Sequence, residues 1–224
     1  MDLHGRLLVQ QQSIDLNTEG VNHLQAGDTF AACNSFGKAS SLLSTYIDNN
    51  IQPLQPGCKR PINWVQLPSS SFVSLSDHRK QVWDDGSFPI LFLRALKIES
   101  TPTESPFTWA ILYNLALSCH IHACKLGANG RQHLQKAHEM YDVVRTQFLP
   151  QVSSEDTPML SLALYNNMGC IYREFSMFKE SQQCLKRAKE ILIDIHRKQG
   201  GLGDLKGVSL NLMALKKPSR APAA

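Results

Sequence analysis

The chain has 224 residues, 42% of them hydrophobic, which is enough to bury a substantial core. Its 23 basic and 19 acidic residues leave a net charge of only +4, and this mild balance argues against a nucleic-acid or membrane partner. The six cysteines are too sparse for a secreted disulfide scaffold, so we expect them to be reduced. Because the sequence shows neither the apolar core of a signal peptide nor a membrane-length apolar run, we expect a cytosolic or nuclear protein.

The first part of the chain shows helical periodicity. Residues 1–12 form a polar lead-in whose leucines either extend the first helix or lie loose. From Ser13 the apolar spacing predicts a helix that Gly27 closes, because glycine readily adopts the left-handed conformation found at helix ends. Asp28 offers a side-chain cap to a second helix. Residues 13–50 are therefore predicted to form a first helical hairpin.

The next stretch, residues 51–104, does not fit a helical pattern because prolines interrupt it too often. These prolines are Pro53, Pro56, Pro61 and Pro68. Two short runs inside it, 62–67 and 88–98, are rich in aromatic and branched residues. We predict that the two runs pair as an antiparallel β-ribbon that leans on the helices, across a mobile loop at residues 68–87. The alternative is that the sequence FLRALKI in the second run forms a short helix.

Helix signals return at Ser105, a capping residue that is followed by proline at the first helical position. A second hairpin is predicted over residues 105–149, with its turn at the sequence GANG. A third hairpin, over residues 155–200, starts with the same signal and stops at a pair of glycines. Beyond it we predict a capping helix over residues 204–216, which covers the exposed apolar edge, and a loose tail over residues 217–224.

The third hairpin carries the most complete pattern in the chain. Large and small residues recur along both of its helices at spacings of three and four, which places them on one stripe. These residues are Tyr165, Met168, Gly169, Tyr172, Phe178, Ser181, Leu185 and Ala188. The first hairpin repeats the pattern around Gly20, and the second repeats it around Ala116. The pattern resembles that of the tetratricopeptide repeat family.

The resemblance implies a mainly α-helical solenoid of about three helix-turn-helix hairpins, with the β-ribbon as an insertion. In such an array the first helices line a concave groove that binds an extended peptide or a partner helix. The groove residues that the resemblance implies are Asn17, Val21, Leu24, Gln25, Tyr113, Leu117, His120, Ile121, Asn166, Cys170, Arg173 and Glu174. The alternative is that the inserted segment fills this groove.

Some members of this family hold the acidic C-termini of chaperones with a carboxylate clamp of lysine and asparagine. Among the implied groove residues, only Asn17, Asn166 and Arg173 resemble such a clamp. Val21 and Leu24 are apolar where the clamp would need polar or charged groups. A peptide of mixed apolar and polar character is therefore the better expectation.

A competing interpretation concerns residues 119–124, whose cysteines and histidines are ligand types for zinc. A spacing of four places His120 and Cys124 on one helix face, and a spacing of three does the same for Cys119 and His122. Neither pair supplies the four ligands of a structural zinc site, and Cys119 also fits a core position. We therefore expect a non-catalytic scaffold without a cofactor, which binds another protein or peptide. A metal-binding sensor or an enzyme that uses residues 119–124 is the alternative.

Overall fold

The structure, a computed structural model, describes residues 3–48, 62–66, 91–98, 108–151 and 157–199. These residues are mainly α-helical, as the periodicity predicts. The predicted loop at 68–87, capping helix at 204–216 and tail at 217–224 lie outside the described residues. None of the described helices combines the length and the apolar character that crossing a membrane requires.

The described residues divide into two compact units. The first unit contains residues 3–48, 62–66, 93–98 and 108–151, and the second contains residues 91–92 and 157–199. Helical hairpins form the bulk of each unit. The division follows the chain closely, apart from the short extended stretch around residue 92, where the chain passes from one unit to the other.

The first hairpin of the first unit pairs α1 (Leu3–Gln25) with α2 (Thr29–Asp48). The first helix therefore begins inside the predicted lead-in, well ahead of Ser13. Gln10 and Ser13 are both buried in this helix. The leucines of the lead-in therefore extend the first helix, although Leu7 and Leu8 are exposed.

The second hairpin begins with α3 (Thr108–Leu126), which a 3-10 turn (Gly127–Gly130) joins to α4 (Arg131–Val143). The turn has the sequence GANG and lies where the sequence predicts it. After α4 the chain continues through a wide π-helical turn (Val144–Phe148) and a short 3-10 turn (Leu149–Gln151).

Two short strands belong to the first unit. β1 (Ile62–Gln66) and β2 (Arg94–Ile98) are antiparallel, with Trp64 opposite Leu96. The residues of β2 are extended, so the alternative of a short helix in this run is wrong. Ala95 and Leu96 have no exposed surface. β2 therefore contributes to the core of the unit.

The second unit is built on the third hairpin, in which α5 (Thr157–Glu174) packs against α6 (Phe178–Gln199). Met168 of the first helix and Leu185 and Ala188 of the second are buried, as the predicted stripe requires. These residues form the apolar interior of the hairpin. Phe178, which was predicted to belong to the same stripe, is 54% exposed at the start of α6, so the prediction is wrong at that position.

The first and third hairpins make the same turn between their helices. In both, the left-handed conformation occurs at the closing residue, with φ of 80° at Gly27 and 60° at Ser176. The residue after each of them donates its backbone N–H to the carbonyl five residues earlier, at 2.9 Å and 2.8 Å respectively. This is the hydrogen-bond pattern of a Schellman motif. Gly27 favours this motif in the first hairpin, and Ser176 adopts the same conformation in the third.

Both of these hairpins also bring their helices into close contact at a glycine. A Cβ atom added at Gly20 would lie 2.6 Å from the ring of Phe36, and one added at Gly169 would lie 2.9 Å from Cγ of Leu185. Atoms cannot approach this closely unless the facing side chain or its helix shifts. The predicted need for a small residue at Gly169 is therefore confirmed.

Candidate functional site

Most of the residues predicted to line an open groove are buried. These are Asn17, Val21, Leu24, Tyr113, Leu117, His120, Ile121, Asn166 and Cys170. Gln25 is exposed, and Arg173 and Glu174 are half-buried. The expectation of exposed side chains at the nine buried positions is wrong. In the first unit, β2 of the inserted segment lies against Asn17 and Tyr113, as in the alternative that the insertion fills the groove.

Asn114 holds the backbone of β2 at Leu96. Its side-chain Oδ1 accepts a hydrogen bond from the Leu96 amide at 2.8 Å, and its Nδ2 donates to the Leu96 carbonyl at 2.7 Å. A carboxamide carries an acceptor and a donor side by side, so it can satisfy both backbone groups of one extended residue, as a neighbouring strand does. The contact recognises backbone and is independent of the leucine side chain.

Asn17 of α1 completes this arrangement. Its Nδ2 donates to the carbonyl of Leu96 at 3.0 Å, and its Oδ1 accepts from Nδ2 of Asn114 at 2.8 Å. Both asparagine side chains have no exposed surface, so these bonds form away from competing water. We call Asn17 and Asn114 together the asparagine clamp.

The asparagine clamp binds one edge of β2, while β1 pairs with the other. Along a strand in an antiparallel pair, the backbone groups of successive residues point alternately toward and away from the partner strand. Arg94 and Leu96 share one edge, and the carbonyl of Arg94 accepts a hydrogen bond of 3.2 Å from the hydroxyl of Tyr113. Side chains of the helices thus take the place of a third strand at this edge.

The second unit contains a related contact. Asn167 accepts a hydrogen bond from the amide of Phe92 at 2.8 Å and donates one to its carbonyl at 3.4 Å. Asn166 donates to Oδ1 of Asn167 at 3.2 Å, and both asparagines are buried. An asparagine pair therefore binds the backbone of Phe92 in this unit too.

Asn114 and Asn167 occupy matching positions in the repeat pattern. Asn114 lies two residues before Ala116, and Asn167 lies two residues before Gly169, the residue that the alignment equates with Ala116. The sequence prediction selected the preceding residues, Tyr113 and Asn166, and missed both of these asparagines. An asparagine at the same repeat position in two hairpins is the signal that could have identified them.

Breaking these buried hydrogen bonds should lower the free energy of unfolding by more than breaking a hydrogen bond at the surface. A buried backbone group left without a partner costs about 1 to 3 kcal/mol. The full burial of a side chain such as Leu96 adds about 1.5 to 3 kcal/mol. The contacts of β2 with α1 and α3 therefore stabilise the first unit.

Residues 119–124 do not gather a set of metal ligands. His120 is buried, with 1% of its surface exposed. His122 lies with its Nδ1 3.0 Å from Oγ1 of Thr29 and its ring centre 4.8 Å from that of His133. Within the described ranges, no three histidine, cysteine, aspartate or glutamate side chains are placed to hold one ion. His122 and His133 therefore contact each other, but the described residues place no third ligand beside them.

One cysteine pair does come together. The Sγ atoms of Cys33 on α2 and Cys119 on α3 are 3.8 Å apart, and Oγ of Ser118 lies 3.2 Å from Sγ of Cys33. The hydrogen bond from Cys119, with help from Ser118 and the positive charge of Lys136, lowers the pKa of the Cys33 thiol to about 7, although burial opposes this. The same hydrogen bond, together with burial, raises the pKa of the Cys119 thiol. Nothing in the sequence pattern predicts this pair.

Comparison of the chain with protein-family models, with curated proteins and with solved structures produced no match. Among the contacts within the two units, the asparagine clamp has the clearest chemistry for recognising another chain.

Proposed function

We propose that the protein is a non-catalytic interaction module built from tetratricopeptide-like hairpins. In this proposal the helix face that carries the asparagine clamp binds an extended peptide through its backbone. The single observation that supports it is the pair of hydrogen bonds from Asn114 to the two backbone groups of Leu96. In the structure, the chain's own segment at residues 93–98 is the occupant of this face.

The clamp favours an extended peptide over a partner helix. In a helix, the backbone N–H and C=O groups bond to one another along the axis, so neither is available to a carboxamide. An extended residue presents both groups on the same side. Of the two occupants that the repeat resemblance implies, the extended peptide is therefore the one that suits Asn17 and Asn114.

The occupant's side chains define the sequence class that fits. Ala95, Leu96 and Ile98 are buried, while Arg94 and Lys97 are half-buried. The site thus encloses a small residue and the large apolar residue that follows it. The basic side chains of Arg94 and Lys97 lie at the edge of the site. We propose that a partner supplies a strand of this type, which exchanges with the chain's own segment.

The test must weaken the internal occupant first, because a segment tethered to its site competes at an effective concentration of about millimolar. The substitution Leu96→Asp places a charge in a fully buried position and should release the segment. A fluorescent peptide with the sequence of residues 91–98, LFLRALKI, is then titrated into the variant, and binding is followed by anisotropy. We expect saturable binding to the Leu96→Asp protein and much weaker binding to the parent.

A second substitution shows whether the clamp is responsible. Adding Asn114→Leu to the Leu96→Asp protein should abolish most of the binding, whereas adding Asn34→Leu, at an exposed position of α2, should not. A peptide methylated on the amide nitrogen of the leucine equivalent to Leu96 should also bind poorly, since it cannot donate to Oδ1 of Asn114. Equal binding with and without Asn114 would contradict the proposal.

A further inference from the structure

Two cysteine side chains from different hairpins meet inside the first unit. Cys33 and Cys119 are 86 residues apart in the sequence, yet their Sγ atoms are 3.8 Å apart. A disulfide bond has a length of about 2.05 Å, so the two sulfurs must move closer together to bond. Both thiols are free in the structure. Because separate helices supply them, it is the fold that brings them together.

The two thiols differ in access and in surroundings. Cys33 is half-buried, whereas only 2% of the surface of Cys119 is exposed, so Cys33 is the nearer of the two to solvent. The hydrogen bond with Cys119 and the ammonium group of Lys136 both favour a thiolate at Cys33. A thiolate is the reactive form of cysteine toward oxidants. Cys33 is therefore placed to react first and Cys119 to react second.

We propose that Cys33 and Cys119 form an oxidation site, at which a peroxide converts the two thiols into a disulfide bond between α2 and α3. This inference stands on the geometry of the first unit and does not depend on peptide binding. Either proposal can fail while the other holds, since one is tested by a cross-link and the other by a binding titration.

The reaction balances with hydrogen peroxide as the oxidant. The Cys33 thiolate attacks one peroxide oxygen, the O–O bond breaks, and Cys33 becomes a sulfenic acid while hydroxide leaves and takes up a proton to form water. The sulfur of Cys119 then attacks the sulfur of Cys33, and the S–O bond breaks as the S–S bond forms. The departing hydroxide takes the proton of the Cys119 thiol and leaves as a second water. Overall the two thiols lose two electrons and two protons, and the peroxide is reduced to two waters.

The experiment treats the folded full-length chain with hydrogen peroxide. Remaining thiols are blocked, the protein is digested without reductant, and the peptides are identified by mass spectrometry. We expect a linked pair that contains Cys33 and Cys119, two hydrogens lighter than the separate peptides, which dithiothreitol separates again. Oxidation of Cys184, a half-buried cysteine of α6, ahead of Cys33 would overturn the proposal. Absence of the linked pair would do the same.

Three variants separate the roles of the sulfurs. Cys119→Ser should stop the reaction at a sulfenic acid on Cys33, which dimedone captures, whereas Cys33→Ser should leave Cys119 unreacted. Cys184→Ser is the matched control and should give the parent's cross-link. Circular dichroism confirms that each variant is folded, and the parent experiment needs no variant at all. An equal yield of the same linked pair from urea-unfolded parent protein would show that the fold does not assemble the site.

Discussion

The carboxamide of Asn114 forms two hydrogen bonds with Leu96, at 2.8 Å to its amide and 2.7 Å to its carbonyl. The two residues are 18 positions apart and belong to different elements, one to α3 and the other to β2. A side chain of the helix thus does for the strand what another strand would do. The predictions below test this relationship and the hairpin packing that supports it.

Replacing Asn114 by leucine should destabilise the protein although the two side chains are similar in size. The substitution leaves the Leu96 amide and Oδ1 of Asn17 without their partner in a buried place. We expect a loss of about 1 to 3 kcal/mol in the free energy of unfolding, measured by urea denaturation. The control Asn34→Leu, at an exposed position, should change the free energy by less than about 0.5 kcal/mol. Similar values for the two variants would show that the clamp contributes nothing to stability.

Alanine at two glycines of the first hairpin should have opposite effects. Gly20→Ala places a Cβ atom 2.6 Å from the ring of Phe36, so we expect a loss of about 1 to 3 kcal/mol from overpacking. Gly37→Ala meets nothing within 4 Å and lies inside α2, where alanine is favoured over glycine by about 0.5 to 1 kcal/mol. Thermal melts of both variants measure these shifts. A rise in the melting midpoint of Gly20→Ala would mean that α1 and α2 are not in close contact there.

Substitutions at the closing residue of the two turns should change stability in opposite directions, because one introduces glycine and the other removes it. Ser176 has a φ of 60°, which disfavours any residue with a Cβ atom, so Ser176→Gly should stabilise the second unit by about 0.5 to 1 kcal/mol. Gly27→Ala, at a φ of 80°, should destabilise the first hairpin by about 1 kcal/mol. Denaturant titrations of the two variants test the turn geometry. Changes of the same sign in both would contradict it.

Acid should weaken the first unit through His122. Burial, followed by the positive charges of His133 and Lys125, lowers the pKa of His122 below its usual value of 6.5. A histidine whose pKa is lower in the folded state favours folding while it is neutral, so its contribution is complete above pH 6.5 and is lost as the pH falls below that value. His122→Asn, which cannot become charged, should therefore lose less stability than the parent below pH 6.5. An identical loss in parent and variant, measured by denaturation across this range, would exclude this role.

Local features of the hairpins were predictable from the sequence. The glycine contact at Gly169 and the closing turn at Gly27 depend on residues close to each other along one hairpin. Their side-chain sizes and backbone preferences are visible in the sequence itself. The same holds for the GANG turn. The start of α1 at Leu3 agrees with one of the two alternatives for the lead-in, in which its leucines extend the first helix.

The covering of the predicted groove by the inserted segment was an alternative from the sequence, but the contacts that produce it could not be predicted. Asn17 meets Leu96 across 79 positions of sequence, and no local pattern sets that register. The repeat pattern identifies which helix face points inward, and the nine buried residues do lie on such faces. It does not reveal that a segment of the same chain lies against them. The prediction was also off by one residue along α3. It placed Tyr113 in the groove, whereas the next residue, Asn114, binds the backbone of Leu96.

Amide hydrogen exchange at Leu96 measures whether the asparagine clamp holds β2 by its backbone. In the parent protein, NMR should find the Leu96 amide among the slowly exchanging amides, because it is buried and bonded to Asn114. Asn114→Leu should speed its exchange by roughly tenfold or more, while Asn34→Leu should leave it unchanged. An amide that exchanges in the parent at the rate of an unstructured peptide, or equally fast with and without Asn114, would contradict the account.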